Sequence, residues 1–331
     1  MAVLITGGGG YIGSQIVNAL QLRKKKAVVI DTFERGHESS VYGAKIYQGD
    51  IRNSEFVRKI CIEESISTVV HCAGYKSVSE SFEIPKLYSE MNLGGTRALL
   101  NSLVGTSVRN LIFSSSCSVY GDAHNGPIDE DCQLNPLSPY ALSKLASEKE
   151  IETFAERHKI RWVTLRFFNA AGASDKPLLG EDLNFSTTLL PEIFSSVIHN
   201  TELILRGNDF DTVDGTGIRD YVHVLDLASV HLSAIDYLNS GGQSCVLNAG
   251  SGIGTSVLQI LHVVEKVIGR DIPRRFDGRR LGDASSLVAN ISRIEKVFGW
   301  RPVHTIDDIV NSAYRWYQSI EFQKMYGKID G

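Results

Sequence analysis

The sequence has little that would set it apart from ordinary globular proteins. It contains no apolar stretch near the roughly 20 residues that a membrane span needs. Its formal net charge of -4 gives no case for binding nucleic acid, and the run Arg23–Lys26 is typical of the solvated end of a helix. The start, MAVLIT, lacks the charged segment and cleavage site of a signal peptide. We therefore expect a cytoplasmic protein with neither a membrane nor a nucleic acid as partner.

Cysteines are few and scattered. There are five, an odd number, without CxxC spacing and without clustering among histidines. A disulfide framework needs paired cysteines, and a structural zinc site needs ligands close together in the chain. The sequence therefore predicts reduced thiols and no metal site.

What the sequence does contain is a regular alternation of apolar runs and helical patterns. At 331 residues and 43% hydrophobic composition, the chain is long enough for a large core and two lobes. Between the runs, apolar residues recur at helical spacing, which predicts an α/β fold with a Rossmann-type, doubly wound parallel sheet. The predicted strands are Val3–Thr6, Ala27–Asp31, Ser67–Cys72, Asn110–Ser115 and Arg161–Phe167, with Cys245–Gly250 as a later one.

The alternation loosens after Asn169, where two long stretches are rich in glycine and aspartate. Such stretches within a compact protein are typical of binding loops. A helix is predicted again over Val224–Leu238. We therefore expect a dinucleotide-binding domain over 1–168 and about 220–250. A smaller mixed α/β substrate domain is expected over about 169–219 and 251–331, so that the two interleave in sequence.

Glycines follow the first predicted strand and precede a predicted helix. The segment VLITGGGGYIGS contains Gly8-x-Gly10-x-x-Gly13, and also Gly7 at the same three-residue spacing from Gly10. Glycines at these places allow a tight turn and a close approach of backbone N–H groups to a diphosphate, and the helix N-terminus adds a partial positive charge. The strand before and the helix after make this a dinucleotide-binding loop rather than a plain turn.

An acidic residue ends the second strand. Asp31 lies about 20 residues beyond the glycines, where a carboxylate accepts hydrogen bonds from the adenosine ribose and repels a 2′-phosphate. This favours NAD, although the nearby Arg35 leaves NADP open. Asp50 and Ile51, after the third strand, are placed either to contact adenine or to form an ordinary turn.

A tyrosine and a lysine stand four residues apart at the start of a helix in SPYALSK. Positions i and i+4 share a helix face, so Lys144 can lie beside Tyr140. A free tyrosine, with a pKa of about 10, is a poor base, and nearby positive charge favours the phenolate. Ser116 and Ser118 follow a strand at its carboxyl end, where parallel sheets face their ligands. Alone, this pattern also fits a capped surface helix, but with the glycine loop it predicts a proton-transfer site.

Together these motifs resemble the extended short-chain dehydrogenase/reductases and, within them, the UDP-glucose 4-epimerases. The resemblance runs almost from end to end of the chain. Its segments are VLITGGGGYIGS, GDIRN, HCAGYKSVSES, FSSSCSVYG, SPYALSK, RFFNAAGA, GNDFDTVDGTGIRDYVHVLDLA, NAGSGIGTSV and GRRLGD.

The resemblance implies an isomerase with tightly held NAD that interconverts UDP-glucose and UDP-galactose, or their N-acetylated forms. Tyr140 would take the proton of the sugar 4-hydroxyl, Ser116 would share the 4-oxygen, and Lys144 would bind the nicotinamide ribose. A 4-keto intermediate would then turn about its diphosphate and receive the hydride on its other face. The resemblance also implies a homodimer through the helices at Leu93–Val104 and Ala141–Phe154.

The same resemblance implies the binding residues. Those expected around NAD are Gly7, Gly10, Tyr11, Ile12, Gly13, Asp31, Asp50, Ile51, Cys72, Ala73, Gly74, Lys76, Asn92, Ser114, Tyr140, Lys144 and Phe168. Those expected around the nucleotide sugar are Lys76, Ser116, Ser118, Tyr140, Asn169, Thr188, Leu189, Arg206, Arg219, Arg280, Asp283 and Leu287. By contrast, His71 is interpreted as a structural histidine and Tyr120 as a core residue or part of a pocket wall.

Some positions depart from the family pattern. Thr187 and Thr188 stand where many members carry two asparagines, and Arg206 stands where an aromatic residue is common beside the base. Leu287 replaces the tyrosine or small residue associated with tolerance for N-acetylated sugars, and Phe167 replaces a common tyrosine. These changes bear on which substrate is used and leave Ser116, Tyr140 and Lys144 untouched.

Three other functions stay open at this point. One is a 4-epimerase or related oxidoreductase acting on a dTDP-hexose or a UDP-uronate. Another is a 4,6-dehydratase or decarboxylase of the same fold, which needs a carboxylate after the active-site serine; here Cys117 and Ser118 follow it. The last is a non-catalytic NAD-binding protein, which the intact tyrosine and lysine disfavour.

Overall fold

The chain is described by a computed structural model that covers residues 2–122, 126–176, 178–184, 186, 188–280 and 283–326. The strands in this part of the chain are β1 (Ala2–Thr6), β2 (Lys26–Asp31), β3 (Lys45–Gln48), β4 (Ile66–His71), β5 (Asn110–Ser116), β6 (Arg161–Phe167), β7 (Asn169–Ala171), β8 (Ser174–Asp175), β9 (Leu178–Leu179), β10 (Leu203–Arg206), β11 (Ile218–His223), β12 (Cys245–Ala249), β13 (Gly254–Ser256), β14 (Arg274–Asp277) and β15 (Ser286–Leu287).

The helices alternate with these strands. They are α1 (Tyr11–Leu22), α2 (Ser54–Glu63), α3 (Val78–Glu83), α4 (Pro85–Tyr88), α5 (Gly95–Leu103), α6 (Pro139–His158), α7 (Leu189–His199), α8 (Val224–Asn239), α9 (Val257–Ile268), α10 (Ser292–Phe298), α11 (Ile306–Tyr317) and α12 (Ile320–Tyr326). Short 3-10 turns cover Glu38–Ser40 and Cys117–Tyr120, and a π-helical turn covers Ser89–Gly94.

The larger sheet has seven parallel strands in the order β12-β6-β5-β4-β1-β2-β3. All five residues of β1 are buried, as expected for a strand covered on both faces. Residues of these strands enter two cores, one beneath α1, α8 and α10 and the other beneath α2, α5 and α6. The Rossmann-type doubly wound fold is therefore confirmed, as are the predicted strands and the helix after His223.

The direction of the connections changes at β1. Successive strands are added on one side up to β3, and the chain then crosses to β4 on the other side of β1. At such a point the helices on the two faces diverge and leave a crevice beyond the carboxyl ends of the strands. The loop after β1, with its glycines, opens into this crevice.

A second, smaller group of elements closes the crevice. β11 pairs with β7 and β15 in parallel and with β13 antiparallel, and β10 pairs with β14. Helices α7, α9 and α11 surround a separate core that contains Phe194 and Trp316. The segment 220–250 is therefore shared: β11 lies in this smaller group, whereas α8 and β12 pack in the larger sheet.

None of the helices in the described part of the chain is long and apolar enough to cross a membrane.

Candidate active site

A cavity of about 1030 Å³ lies between the carboxyl ends of the larger sheet and the smaller group of elements. Its wall is built from the loops that follow β1, β2, β4 and β5, from the start of α6, and from β10, β11 and β15. Pockets for small molecules and cofactors span roughly 300–1,000 Å³. The cavity therefore lies at the large end of that range and extends from the larger sheet to the smaller group of elements.

The glycine loop forms the floor at one end of this cavity. Gly7 has a φ of +71°, which a residue with a side chain rarely adopts. A Cβ at Gly13 would overlap the carbonyl oxygen of Gly7, so only glycine lets the helix start so close to the strand. α1 begins after Gly10 with no side-chain cap and no acidic residue in its first turn. Its first N–H groups and its positive end therefore suit the diphosphate of a dinucleotide.

Asp31 stands beside this loop and is fixed by the backbone. Its Oδ2 accepts a hydrogen bond from the Gly9 N–H at 2.8 Å, and its Oδ1 accepts one from the Phe33 N–H at 2.9 Å. Burial raises the pKa of Asp31, and these two hydrogen bonds oppose that rise. A carboxylate has about four lone-pair sites, so the group keeps capacity to accept from a ligand hydroxyl. The position suits a ribose diol.

The serine strand and the Tyr-Lys helix meet at the wall of the same cavity. Ser138 caps α6 by accepting a hydrogen bond from the Ala141 N–H at 3.1 Å, and Pro139 occupies the first turn. This start places both Tyr140 and Lys144 on the buried face of α6, where their side chains line the cavity. The Lys144 Nζ donates a hydrogen bond to the Ser114 carbonyl at 2.8 Å and lies 5.9 Å from the Tyr140 ring centre.

Ser116, at the end of β5, is held in place by hydrogen bonds from Ser118. Its hydroxyl accepts hydrogen bonds from the Ser118 N–H at 3.2 Å and the Ser118 hydroxyl at 2.9 Å. Both serines and Tyr140 line the same part of the cavity. An oxygen of a ligand bound there would meet a serine hydroxyl and a phenol together.

Burial dominates the acid-base properties of this pair. Burial raises the pKa of Tyr140 to about 12, and its hydrogen bond with Ser116 opposes that rise. Burial lowers the pKa of Lys144 to about 8, and Cys72 and Glu148 oppose that fall. Desolvation therefore dominates the pKa of Tyr140 in the chain alone. The expectation that positive charge from Lys144 and a bound nicotinamide lowers this pKa concerns the loaded site and stays a prediction. Lys144 stays mostly charged at neutral pH.

Basic residues line the side of the cavity formed by the smaller group of elements. Arg219, with a mostly buried side chain, lies 3.6 Å from Asp283, and Arg280 pairs with Glu192 at 2.7 Å. Arg206 at the end of β10 pairs with Asp277 at 2.6 Å. An arginine fork suits phosphate oxygens, so this side fits an anionic ligand.

The lysine predicted near the cofactor bridges the two halves of the cavity. The Lys76 Nζ lies 2.5 Å from an oxygen of Glu181, whose carboxylate also accepts hydrogen bonds from Ser186 and Thr188. Glu181 lines the cavity and is largely buried, but no sequence motif indicates it. The segment that carries it therefore contacts the loop after β4.

Asn92 lies one layer behind the wall. Its Oδ1 accepts a hydrogen bond from the Tyr75 N–H at 2.7 Å, and its Nδ2 donates to the Ser143 hydroxyl at 2.9 Å. It shapes the loop after β4 from within the π-helical turn. His71 is buried between the hydroxyls of Thr6 and Thr96, and burial lowers its pKa to about 3, as expected of a structural histidine.

With the exception of Asn92, the structure brings all the predicted site residues to one cavity. Thr187 lies outside the described residues. The predicted residues that line the cavity are Gly7, Gly10, Tyr11, Ile12, Gly13, Asp31, Asp50, Ile51, Cys72, Ala73, Gly74, Lys76, Ser114, Ser116, Ser118, Tyr140, Lys144, Phe168, Asn169, Thr188, Leu189, Arg206, Arg219, Arg280, Asp283 and Leu287.

Comparison with known proteins agrees with this arrangement. Residues 3–250 match the family described as the NAD dependent epimerase/dehydratase family. A UDP-glucose 4-epimerase of Lactobacillus helveticus is 40% identical over 322 residues, which cover 96% of this chain and 98% of that protein. A second, from Streptococcus mutans, is 39% identical over 96% of this chain and 97% of that protein.

Solved structures of the same kind share the whole fold. A UDP-glucose 4-epimerase from Stenotrophomonas maltophila, with bound NAD and formylated UDP-arabinopyranose, superposes with a TM-score of 0.93 at 34% identity, over 97% of this chain and 99% of that one. A UDP-Glc/GlcNAc 4-epimerase from Campylobacter jejuni superposes with a TM-score of 0.83 at 31% identity, over 96% and 99%. With its glycine loop, serine strand and Tyr-Lys helix around one cavity, this chain belongs to the UDP-glucose 4-epimerases of the NAD dependent epimerase/dehydratase family.

Proposed function

We propose that this chain is an NAD-dependent isomerase that interconverts UDP-glucose and UDP-galactose through a 4-keto intermediate. One observation carries the proposal: Ser116, Tyr140 and Lys144 line the same cavity as the glycine loop of the larger sheet and the arginines of the smaller group of elements. A dinucleotide held by the glycine loop and a nucleotide sugar held by the arginines would meet at these three side chains.

Each of the three side chains has a distinct role. Tyr140 takes the proton of the sugar 4-hydroxyl and later returns it. Ser116 hydrogen-bonds the same oxygen and keeps it within reach of the phenol. Lys144 fixes the ribose next to the nicotinamide and adds positive charge. NAD, when bound, accepts a hydride from C4 of the sugar and gives it back.

The raised pKa of Tyr140 defines what the bound ligands must supply. Burial holds the phenol protonated, with a pKa of about 12 in the protein alone. Positive charge within about 4–6 Å favours a phenolate. The ammonium of Lys144 together with the cationic ring of the cofactor supplies that charge, so Tyr140 becomes a base only in the loaded site. Proton abstraction is thereby tied to the oxidised cofactor.

The binding residues divide between the two ligands. We assign the residues from Gly7 to Asp31 and those around Ala73 to NAD. Asn169, Arg219, Arg280 and Asp283 are assigned to the nucleotide diphosphate, and Leu287 to the sugar. Asn92 supports the wall from behind through Tyr75.

The proposal also covers the domain boundaries, the cellular location and the oligomeric state. The larger sheet with 1–168 and most of 220–250 is the NAD-binding domain, and about 169–219 with 251–331 is the nucleotide-sugar domain. The protein acts in the cytoplasm as a homodimer, with the helices at Leu93–Val104 and Ala141–Phe154 as the shared face. On that face Leu142 is 55% exposed and Val104 is 38% exposed, although both are apolar.

The identity of the substrate is tested by a panel of nucleotide sugars. The purified protein is incubated with UDP- and dTDP-hexoses, with and without N-acetyl groups, and with UDP-glucuronate. Formation of the 4-epimer is followed by chromatography. The proposal predicts the fastest conversion for UDP-glucose and UDP-galactose. Faster conversion of a dTDP-hexose or of UDP-glucuronate would show that this compound, and not UDP-glucose, is the preferred substrate. If none of the compounds gave an epimer, the proposed function would be overturned.

A further inference from the structure

An arginine at the ribose end of the cavity is held by a glutamate from another element. Arg35 lines the cavity four residues after Asp31. Its Nη1 lies 2.7 Å from Oε2 of Glu80, and its Nη2 lies 2.7 Å from Oε1. The guanidinium carbon also stacks 3.7 Å above the centre of the Tyr75 ring. The fork of Arg35 is therefore directed at a carboxylate on α3.

The loop that carries Arg35 is packed against the glycine loop. The His37 N–H donates a hydrogen bond to the Gly9 carbonyl at 3.0 Å, and a Cβ at Gly36 would meet the Gly9 carbonyl carbon at 2.7 Å. Gly9 also donates to Asp31. Arg35 is thus anchored beside the place where the adenosine ribose of a dinucleotide would lie, and its side chain is long enough to reach a substituent there.

Other residues hold Glu80 in place, so its pairing with Arg35 is part of the folded structure. The hydroxyl of Tyr88, a fully buried residue, donates a hydrogen bond to Oε2 of Glu80 at 2.7 Å. Ser77 caps α3 by accepting a hydrogen bond from the Glu80 N–H at 3.2 Å. Hydrogen bonds from Arg35 lower the pKa of Glu80, so the carboxylate is ionised at neutral pH.

We propose that Glu80 is a residue that determines cofactor specificity, by holding the Arg35 guanidinium away from the position of a 2′-phosphate. Dinucleotide sites that accept NADP use a nearby arginine for this phosphate. Here the Asp31 carboxylate repels a 2′-phosphate, and Glu80 keeps the Arg35 guanidinium from attracting it. The inference rests on the proposed function, because it assumes that the glycine-loop end of the cavity binds a nicotinamide dinucleotide.

The test is the variant Glu80→Gln. Glutamine keeps an oxygen that can accept the Tyr88 hydrogen bond, but it lacks the charge that holds Arg35. The full-length protein is equilibrated with equal concentrations of NAD⁺ and NADP⁺, separated from free nucleotide, and denatured, and the released nucleotides are quantified. The ratio of bound NADP to bound NAD should rise about tenfold over wild type, as expected for one charge-assisted contact. An unchanged ratio overturns the proposal.

Two matched variants separate release of Arg35 from a change in net charge. Glu83→Gln removes one negative charge from the same helix and the same cavity wall, and should leave the ratio as in wild type. Adding Arg35→Ala to Glu80→Gln should return the ratio to the wild-type value. A gain in Glu83→Gln, or a gain that survives loss of Arg35, overturns the role of Glu80.

A further variant keeps the test decisive if Glu80→Gln does not fold. Arg35→Ala in the otherwise unchanged chain should leave the ratio of bound NADP to bound NAD at its wild-type value, because Glu80 already keeps the guanidinium away from the 2′-phosphate. A marked fall in bound NADP would overturn the proposal, since it would mean that Arg35 already contacts that nucleotide. Wild type that retains neither nucleotide would instead overturn the proposed function.

Discussion

Glu148 and Arg166 form a buried ion pair directly behind the proposed catalytic residues. The Arg166 Nη2 lies 2.7 Å from Oε2 of Glu148, and its Nε lies 3.1 Å from Oε1, with side-chain exposures of 5% and 4%. Glu148 follows Lys144 by one turn of α6, and the hydroxyl of Ser115 also donates to it. The pair therefore fastens the Tyr-Lys helix to β5 and β6.

Glu148→Gln should lower the free energy of unfolding by about 3 to 5 kcal/mol, because it leaves the buried Arg166 without its counter-charge. Glu150→Gln on the same helix is the matched control, since Glu150 pairs with Arg97 at the surface, with exposures of 36% and 56%. The control should change the free energy of unfolding by less than about 1 kcal/mol. Urea denaturation of both variants measures the difference, and equal losses would contradict the structural role given to Glu148.

Lys144→Met should abolish activity and yet stabilise the fold at neutral pH. The lowering of the Lys144 pKa from 10.5 to about 8 corresponds to about 3 kcal/mol of unfavourable burial. Loss of its hydrogen bond to the Ser114 carbonyl offsets about 1 kcal/mol of this. The expected net gain is about 2 kcal/mol, measured by urea denaturation with no nucleotide added.

The pH dependence of that gain has a definite sign. Between about pH 8 and 10.5 the unfolded chain binds a proton at Lys144 that the folded chain does not. The stability of wild type therefore rises through this window relative to the variant, and the cost of the buried charge is fully present only below it. The gain from Lys144→Met should shrink toward about pH 10. A gain that grows with pH would show that another group is responsible.

Tyr140→Phe should lower kcat by about 10³-fold, within the range found for loss of a general acid-base group. The content of bound NAD should stay unchanged, because the phenyl ring still fills the wall of the cavity. Tyr75→Phe is the control, since Tyr75 also lines the cavity and a phenyl ring can still stack beneath Arg35. If the two variants kept similar activity, Tyr140 would not be the proton acceptor.

Leu287→Tyr should reduce the rate with UDP-N-acetylglucosamine relative to UDP-glucose by about tenfold, because Leu287 lines the cavity and a larger side chain leaves less room for the acetyl group. Leu287→Met has a similar volume and should leave the ratio of rates nearly unchanged. Competition assays with both substrates give this ratio directly. The same ratio in wild type and both variants would discard Leu287 as the residue that limits sugar size.

The parts of the site that sequence could predict depend on contacts close together in the chain. The glycine loop, its strand and its helix are consecutive in the chain, from Ala2 to Leu22, and Tyr140 and Lys144 share a face through helix geometry alone. Burial of β1 on both faces follows from its unbroken apolar run. These features can be predicted because the geometry of a single helix, strand or turn determines which residues lie together.

Other contacts depend on how distant segments pack together. Lys76 and Glu181 are 105 residues apart, and Arg35 and Glu80 are 45 apart, so neither pair has a local signal. The sequence indicated Arg35 as an open route to NADP, but only the structure shows that Glu80 occupies its fork. Glu148 could have been noticed in the sequence, because it lies four residues after Lys144 and therefore on the same face of the helix.

The proposed reaction is tested most directly by incubating the purified protein with UDP-galactose in D₂O and recording proton spectra of the product. A hydride that leaves C4 and returns to it never exchanges with solvent. The product should therefore be UDP-glucose with protium retained at C4. UDP-glucose that carries deuterium at C4, or the absence of UDP-glucose, would contradict the account.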